Sequence, residues 1–235
     1  MSESVLTDGT NSPLRSLKHA LVGVLGRERA NRLSAPYHDR AARRRTARTL
    51  DALRGARDLR VNIGCGPNAL TGWINLDAAR GERIDVVWDL RGGLPFADGS
   101  CAAVFGEHVI EHVPRGSAET LLRECRRALK EGGVLRLSTP DAGLYLRSYA
   151  GDREFLRRPE FTEPAETPMD RVNQMMRESG QHLWCYDAES LLLLLRKVGF
   201  SRVVEQKFGE SLDPSMRGID SEGRAFESLY VEAVK

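Results

Sequence analysis

Val61-Asn62-Ile63-Gly64-Cys65-Gly66-Pro67-Asn68, followed shortly by Asn75-Leu76-Asp77, sets the architecture of this 235-residue chain. The first segment reads as a buried strand entering a glycine turn. The second reads as a neighbouring strand that ends in a carboxylate. In an open α/β sheet this pairing forms a nucleoside site, because ligands lie beyond the carboxyl ends of the strands. Gly64 and Gly66 let the backbone approach a ligand where a side chain would intrude. Asp77, at the tip of the second strand, is placed to accept from two ribose hydroxyls. The dinucleotide fingerprint requires G-x-G-x-x-G and an acid about 20 residues on. Here Pro67 follows the second glycine and Asp77 comes sooner, so a pyrophosphate ligand is not expected. An adenosine without phosphates fits better, and S-adenosyl-L-methionine is the common one.

Four further segments extend the pattern: Asp85-Val86-Val87-Trp88-Asp89-Leu90, Leu94 to Ser100, Val104 to Val113, and Leu129 to Asp141. In this order and spacing the chain resembles the class I S-adenosylmethionine-dependent methyltransferases, closely over residues 59–141 and more loosely over 181–235. The resemblance implies a Rossmann-like, doubly wound, mostly parallel seven-stranded sheet of order 3-2-1-4-5-7-6. It implies cofactor contacts from Gly64, Cys65, Gly66 and Asn68, from Asp77, from Asp89 and the Leu90 backbone around adenine, and from Glu107 at the end of the fourth strand. The short stretch between Gly66 and Trp73 implies an abbreviated first helix. That feature, Glu107-His108-Val109-Ile110-Glu111-His112, and the run Gly180-Gln181-His182-Leu183-Trp184-Cys185-Tyr186-Asp187 resemble bacterial methyltransferases of sugars and polysaccharides, the methylmannose type included.

Composition narrows the field. A net charge of +2 gives no global field suited to nucleic acid. Cys65, Cys101, Cys125 and Cys185 form no C-x-x-C pair, which argues against a zinc ribbon or disulfide scaffold and for a reducing cytoplasm. No apolar run approaches the ~20 residues of a membrane span. Leu14 to Gly26, interrupted by Arg15, Lys18 and His19, makes a poor signal peptide.

The chain divides into a tail and helical extension over residues 1–57 and a catalytic domain over 58–235, with a substrate cover at about 142–184. Residues 1–11 are expected to be disordered, and 12–57 helical with a break near Ser34-Ala35-Pro36. Arg40, Arg43, Arg44, Arg45, Arg48, Arg54 and Arg57 crowd the second half of the extension. Charge runs are usually solvated helix faces; a surface for an anionic partner is the sharper alternative. A helix capped by Ser117 and ended by Gly132-Gly133 is expected after the fourth strand. Another, buried all round, runs from Asp187 to Gly199, and residues 209–224 form a second substrate loop.

Methyl transfer to a hydroxyl needs a base, since an alcohol does not ionise at neutral pH. His182 and His108 are the first candidates, with Asp141 and Glu111 next; His19 and His38 lie in the extension. His108-Val109-Ile110-Glu111-His112 formally matches the inverted zinc-peptidase pattern. A strand-like run before it and Pro114 after it oppose the helix that pattern requires, so no metal ligand is assigned. The expected activity is O-methylation of a sugar or oligosaccharide. The alternatives are a small-molecule or natural-product methyltransferase, a nucleic-acid-binding module built on the arginine helix, and a cofactor-binding protein without turnover. The oligomeric state, a homodimer included, stays open.

Overall fold

The structure is a computed structural model that describes residues 27–79 and 81–235. The expectations for residues 1–26, His19 among them, lie outside the described residues. Helix α1 (Arg27–Ala52) is continuous, so the expected break at Ser34-Ala35-Pro36 is absent. A proline removes one donor from a helix, and the alanine- and arginine-rich turns that follow carry the helix past it. Residues 46–235 form one compact unit. Within it, the Thr46 hydroxyl accepts from Val87 N–H at 2.9 Å, and Leu50 and Leu53 pack on the main core. The side chains of Arg40, Arg43, Arg44 and Arg48 are exposed.

The sheet contains β1 (Leu59–Ile63), β2 (Ile74–Asp77), β3 (Val86–Val87), β4 (Cys101–Glu107), β5 (Leu129–Pro140), β6 (Arg202–Gln206) and β7 (Ser228–Val234). Their order is β3-β2-β1-β4-β5-β7-β6. The pairs from β3 to β5 are parallel, and β7 runs antiparallel to both β5 and β6. The expected topology is therefore present. Val61, Ile63, Val104, Leu135 and Leu137 are fully or almost fully buried in the core that the helices cover.

Between β1 and β2 there is no helix, only turns. Asparagine side chains replace it. Asn75 Oδ1 accepts from Leu70 N–H at 2.7 Å and from Asn62 Nδ2 at 3.1 Å, while Asn75 Nδ2 donates to Leu70 O at 3.0 Å. The buried amides thus satisfy a connection too short to satisfy itself.

Helix α2 (Arg115–Ala128) buries Ala118, Leu121, Leu122, Cys125 and Ala128 on one face, as its periodicity implies. Its ends differ from expectation. Pro114, not Ser117, occupies the N-cap, because a proline at a helix boundary costs no intrahelical bond. The helix stops at Ala128 and β5 begins at once, so Gly132-Gly133 lie inside the strand. There they carry a register irregularity against β4. A Cβ on Gly133 would stand 2.9 Å from Lys130 O and 3.1 Å from Ala102 O, so the bulge requires glycine.

The cover contains more regular structure than its prolines and charges suggest: α3 (Ala142–Ala150) and α4 (Pro168–Arg177). Thr167 caps α4 in a reciprocal box with Asp170, and Pro168 occupies its first turn. Ala142, Tyr145, Leu156, Val172 and Met175 form a separate apolar cluster under this cover. Helix α5 (Ala188–Val198) starts at Asp187, which exchanges a capping box with Ser190, and stops at Gly199 with φ 100°. Phe200 N–H reaches back to Leu195 O, and its ring is buried, as the expected Schellman contact requires. The helix is not buried all round: Leu191, Leu194 and Leu195 face the core, while Leu193 is 63% exposed. Five consecutive leucines cover every direction of a helix, and only one face meets the sheet. Among the described residues no helix is long and apolar enough to cross a membrane.

Candidate functional site

The glycine turn, the end of β4 and the end of β5 lie side by side at the carboxyl edge of the sheet. Gly64 and Gly66 both have positive φ, 60° and 48°. Their spaces differ. A Cβ on Gly64 would stand 2.2 Å from Val109 Cγ2, so that glycine is required by the protein's own packing. A Cβ on Gly66 would meet nothing within 4 Å and would project into open space. Asp77 is locked by two backbone donors, Gly66 N–H at 2.8 Å and Ala79 N–H at 2.6 Å. A carboxylate offers about four acceptor sites, so capacity remains for two ribose hydroxyls. An adenosine moiety therefore fits here: an open cradle over Gly66 lies beside a fixed acidic acceptor. Cys65 is buried, and burial pushes its thiol up to about 12, which leaves it unreactive.

Asp89 caps the short turn Leu90–Gly92 and is gripped by Arg91, whose Nη2 donates at 2.6 Å. Hydrogen bonds from Arg91 hold its carboxyl down at about 2. This local engagement is the turn-aspartate arrangement. The Leu90 side chain is buried. Glu107 accepts from Ser221 N–H at 2.8 Å and Ser221 Oγ at 2.5 Å, and from Asn68 Nδ2 at 3.4 Å. It thereby joins the glycine turn to the segment between β6 and β7.

That segment is anchored by a buried ionic group which sequence patterns did not reveal. Arg136 on β5 donates to Asp220 at 2.8 and 2.6 Å and to Glu232 at 3.1 Å, with all three side chains 0% exposed. Glu232 sits directly opposite Arg136 on β7. An arginine on a central strand with an acid across the ladder was the available signal.

His108 follows β4 with φ 48°. Ser228 Oγ donates to Arg224 O at 2.7 Å, so the Nε2–H of His108 must donate to Ser228 Oγ, 2.7 Å away. Its Nδ1 then accepts from Arg224 at 3.3 Å. Burial, then the Arg224 charge, push its pKa down to about 3. His108 is thus neutral, with both nitrogens engaged in holding the 221–228 segment. Asp141 N-caps α3 and lies 3.4 Å from Arg147.

Ile110–His112 forms a single 3-10 turn, so His108 and His112 do not share a helix face. Instead Leu183 and Trp184 N–H both donate to Glu111 O, at 2.8 and 3.2 Å, and draw residues 182–184 against this turn. The result is a cluster: one ligand-type atom from each of Glu111, His112 and His182 lies within 4.8 Å of the other two. Burial raises the Glu111 carboxyl to about 8. His182 is 6% exposed, and its Nε2 lies 2.8 Å from Glu178 Oε2. Glu178 and His182 form part of the wall of a pocket of about 320 Å³, with Tyr145, Phe161, Arg171, Phe226 and Glu227. Tyr145 donates to Glu227 at 2.5 Å.

Sheet order, open glycine cradle and strand-tip acid define a nucleoside-binding α/β protein of the methyltransferase kind. The methyltransferase-domain family matches residues 35–206, and the chain belongs to it. Its cofactor is S-adenosylmethionine and its activity is methyl transfer. No curated protein matches the chain. Similar solved structures include an S-adenosylmethionine-dependent methyltransferase from Archaeoglobus fulgidus, 17% identical, covering 84% of this chain and 94% of that one, with TM-score 0.47. Another comes from Thermotoga maritima and is described as a possible histamine N-methyltransferase. It is 18% identical, covering 87% of this chain and 98% of that one, with TM-score 0.49. A third, the 1,6-didemethyltoxoflavin-N1-methyltransferase of Burkholderia thailandensis, is 15% identical, covering 98% and 93%, with TM-score 0.45.

Proposed function

We propose that this chain methylates a hydroxyl of a sugar or oligosaccharide, with a methylated mannoside among the products in range. The observation that carries this reading is His182 in the wall of a pocket lined with carboxylates and aromatic rings. Carboxylates accept from several hydroxyls at once, and ring faces cover the apolar side of a sugar. When bound, the cofactor supplies a methyl group on a positively charged sulfur. Gly64, Cys65, Gly66 and Asn68 shape its cradle, Asp77 binds its ribose, Asp89 and the Leu90 backbone flank its adenine, and Glu107 lies beside it at the end of β4. His182 activates the acceptor. Its Nδ1–H donates to Met175 O, so Nε2, which lies 2.8 Å from Glu178, is the nitrogen that exchanges the proton. Glu178, beside that nitrogen, stabilises the resulting charge. A cover that excludes water would favour a reaction that removes charge from sulfur.

Asp77→Ala is expected to leave the fold intact and weaken cofactor binding by about 1.5–3 kcal/mol, the range for hydrogen bonds to a charged group. Titration calorimetry checks this; unchanged affinity in a folded variant removes Asp77 from the ribose site.

A small-molecule amine acceptor is the second reading. Glu160, Glu163, Glu178 and Glu227 all line the pocket and suit a cation. Saturation-transfer NMR on protein loaded with S-adenosylhomocysteine separates the two. Mannosides are expected to show ring-proton contacts that simple amines lack, and the reverse pattern would favour the amine.

A further inference from the structure

We propose that His112, His182, Glu178 and Glu111 form a binding site for one divalent transition-metal ion, open towards the acceptor pocket. The inference rests on the reading of His182 as the group that activates the acceptor and deepens it: as a ligand, His182 would hold an ion that lowers the pKa of a bound acceptor hydroxyl, whose proton would leave to water past the partly exposed His112 and Glu178.

The first argument is the direction of the ring nitrogens. A backbone carbonyl only accepts, so a ring nitrogen facing one must carry the proton. His112 Nδ1 lies 3.2 Å from Gln181 O, and His182 Nδ1 lies against Met175 O. Both rings therefore carry Nδ1–H and turn Nε2 towards Glu178. Those two atoms converge on Glu178 Oε2, at 3.6 Å from His112 and 2.8 Å from His182. The rings meet edge to face with centroids 4.9 Å apart. Without a metal, His182 Nε2 must carry a proton to meet Glu178 at 2.8 Å; a metal ion would take the place of that proton. A carbonyl on the far nitrogen is also the usual outer support of a metal-bound histidine.

Glu111 supplies the second, independent argument. Its side chain is 1% exposed, and neither carboxylate oxygen makes a hydrogen bond of good geometry, with the Thr139 hydroxyl beside it. Its neighbour at 3.4 Å is His108 Nδ1, on a ring whose nitrogens are already engaged with Ser228 and Arg224. A buried carboxyl is paired, bound to metal or left protonated, and a metal ion would replace that proton. One atom of Glu111 lies within 4.8 Å of both histidines of the cluster. Ligand distances of about 2.0–2.2 Å place neighbouring ligand atoms roughly 3.4 Å apart, so modest side-chain rotation closes the group. Two imidazoles with carboxylates suit zinc, iron(II) or nickel rather than magnesium or calcium. His112 and Glu178, 33% and 36% exposed, leave an entry path.

The pairing differs from the one the sequence pattern suggests. H-x-x-E-H would join His108 to His112 on a helix; the 3-10 turn turns His108 away and brings His182 in from the cover.

The test uses the full chain, stripped with a chelator and titrated with zinc alone by calorimetry. Cobalt(II) absorption in the visible serves as a spectroscopic readout. One ion per chain is expected, with His112→Ala, His182→Ala and Glu111→Gln each weakening binding by at least about 10-fold. Cofactor affinity confirms that each variant is folded. Absence of zinc binding overturns the proposal, as does undiminished affinity in the His112→Ala/His182→Ala double variant. If the stripped chain methylates fully while His182→Ala is inactive, His182 acts as a bare base, and this inference alone fails. If His182→Ala turns over normally, the acceptor-activation reading fails as well.

Discussion

His182→Ala is expected to lower turnover by roughly 10²–10⁴-fold, the contribution of a positioned proton acceptor, while cofactor affinity stays near that of the unchanged protein. His182 is nearly buried, its tautomer is set by Met175 O, and its other nitrogen lines the pocket. The other candidates lack this combination. His108 spends both nitrogens on Ser228 and Arg224. Asp141 stands beside Arg147 and is not part of the pocket wall. Glu111 is enclosed behind the turn that carries it. Single-turnover kinetics with saturating cofactor measure the effect. A loss smaller than about tenfold would move the proton to another group.

Arg136→Met is expected to destabilise the fold by about 3–5 kcal/mol, because it leaves Asp220 and Glu232 buried without their cation. Several bonds depend on those acids: Asp220 also accepts from Gly209 N–H at 2.8 Å, and Glu232 from Leu212 N–H at 2.8 Å. The same group holds the segment that delivers Ser221 to Glu107 and Arg224 to His108. Urea denaturation of the variant checks the value. Adding Asp220→Asn and Glu232→Gln removes the stranded charges and should recover part of the loss. No recovery would mean that the arginine contributes through packing instead.

The cofactor half of the site was legible because its signals are local. A strand, a glycine turn and a second strand ending in Asp77 lie within one short segment, and the sheet order follows from the alternation that surrounds it. The acceptor half is assembled from distant segments. Gln181 O meets His112 across 69 positions, and Arg136 meets Asp220 across 84. No periodicity encodes such meetings. Local rules also misled where packing overrode them. Ser117 is a good cap, but Pro114 already ends the preceding chain. Gly132-Gly133 look like a helix stop, but they are needed inside β5 for a bulge. The proline-rich cover looked irregular, although the Thr167–Asp170 box and the Tyr145 cluster give it helices and a small core.

The most direct measurement is transfer of a deuterium-labelled methyl group from S-adenosylmethionine to a mannoside acceptor, with the product read by NMR and mass spectrometry. The account predicts a labelled methyl ether on a sugar oxygen, formed by the unchanged protein and nearly absent with His182→Ala. Label on a nitrogen of an amine acceptor, with sugars left unmodified, would contradict it.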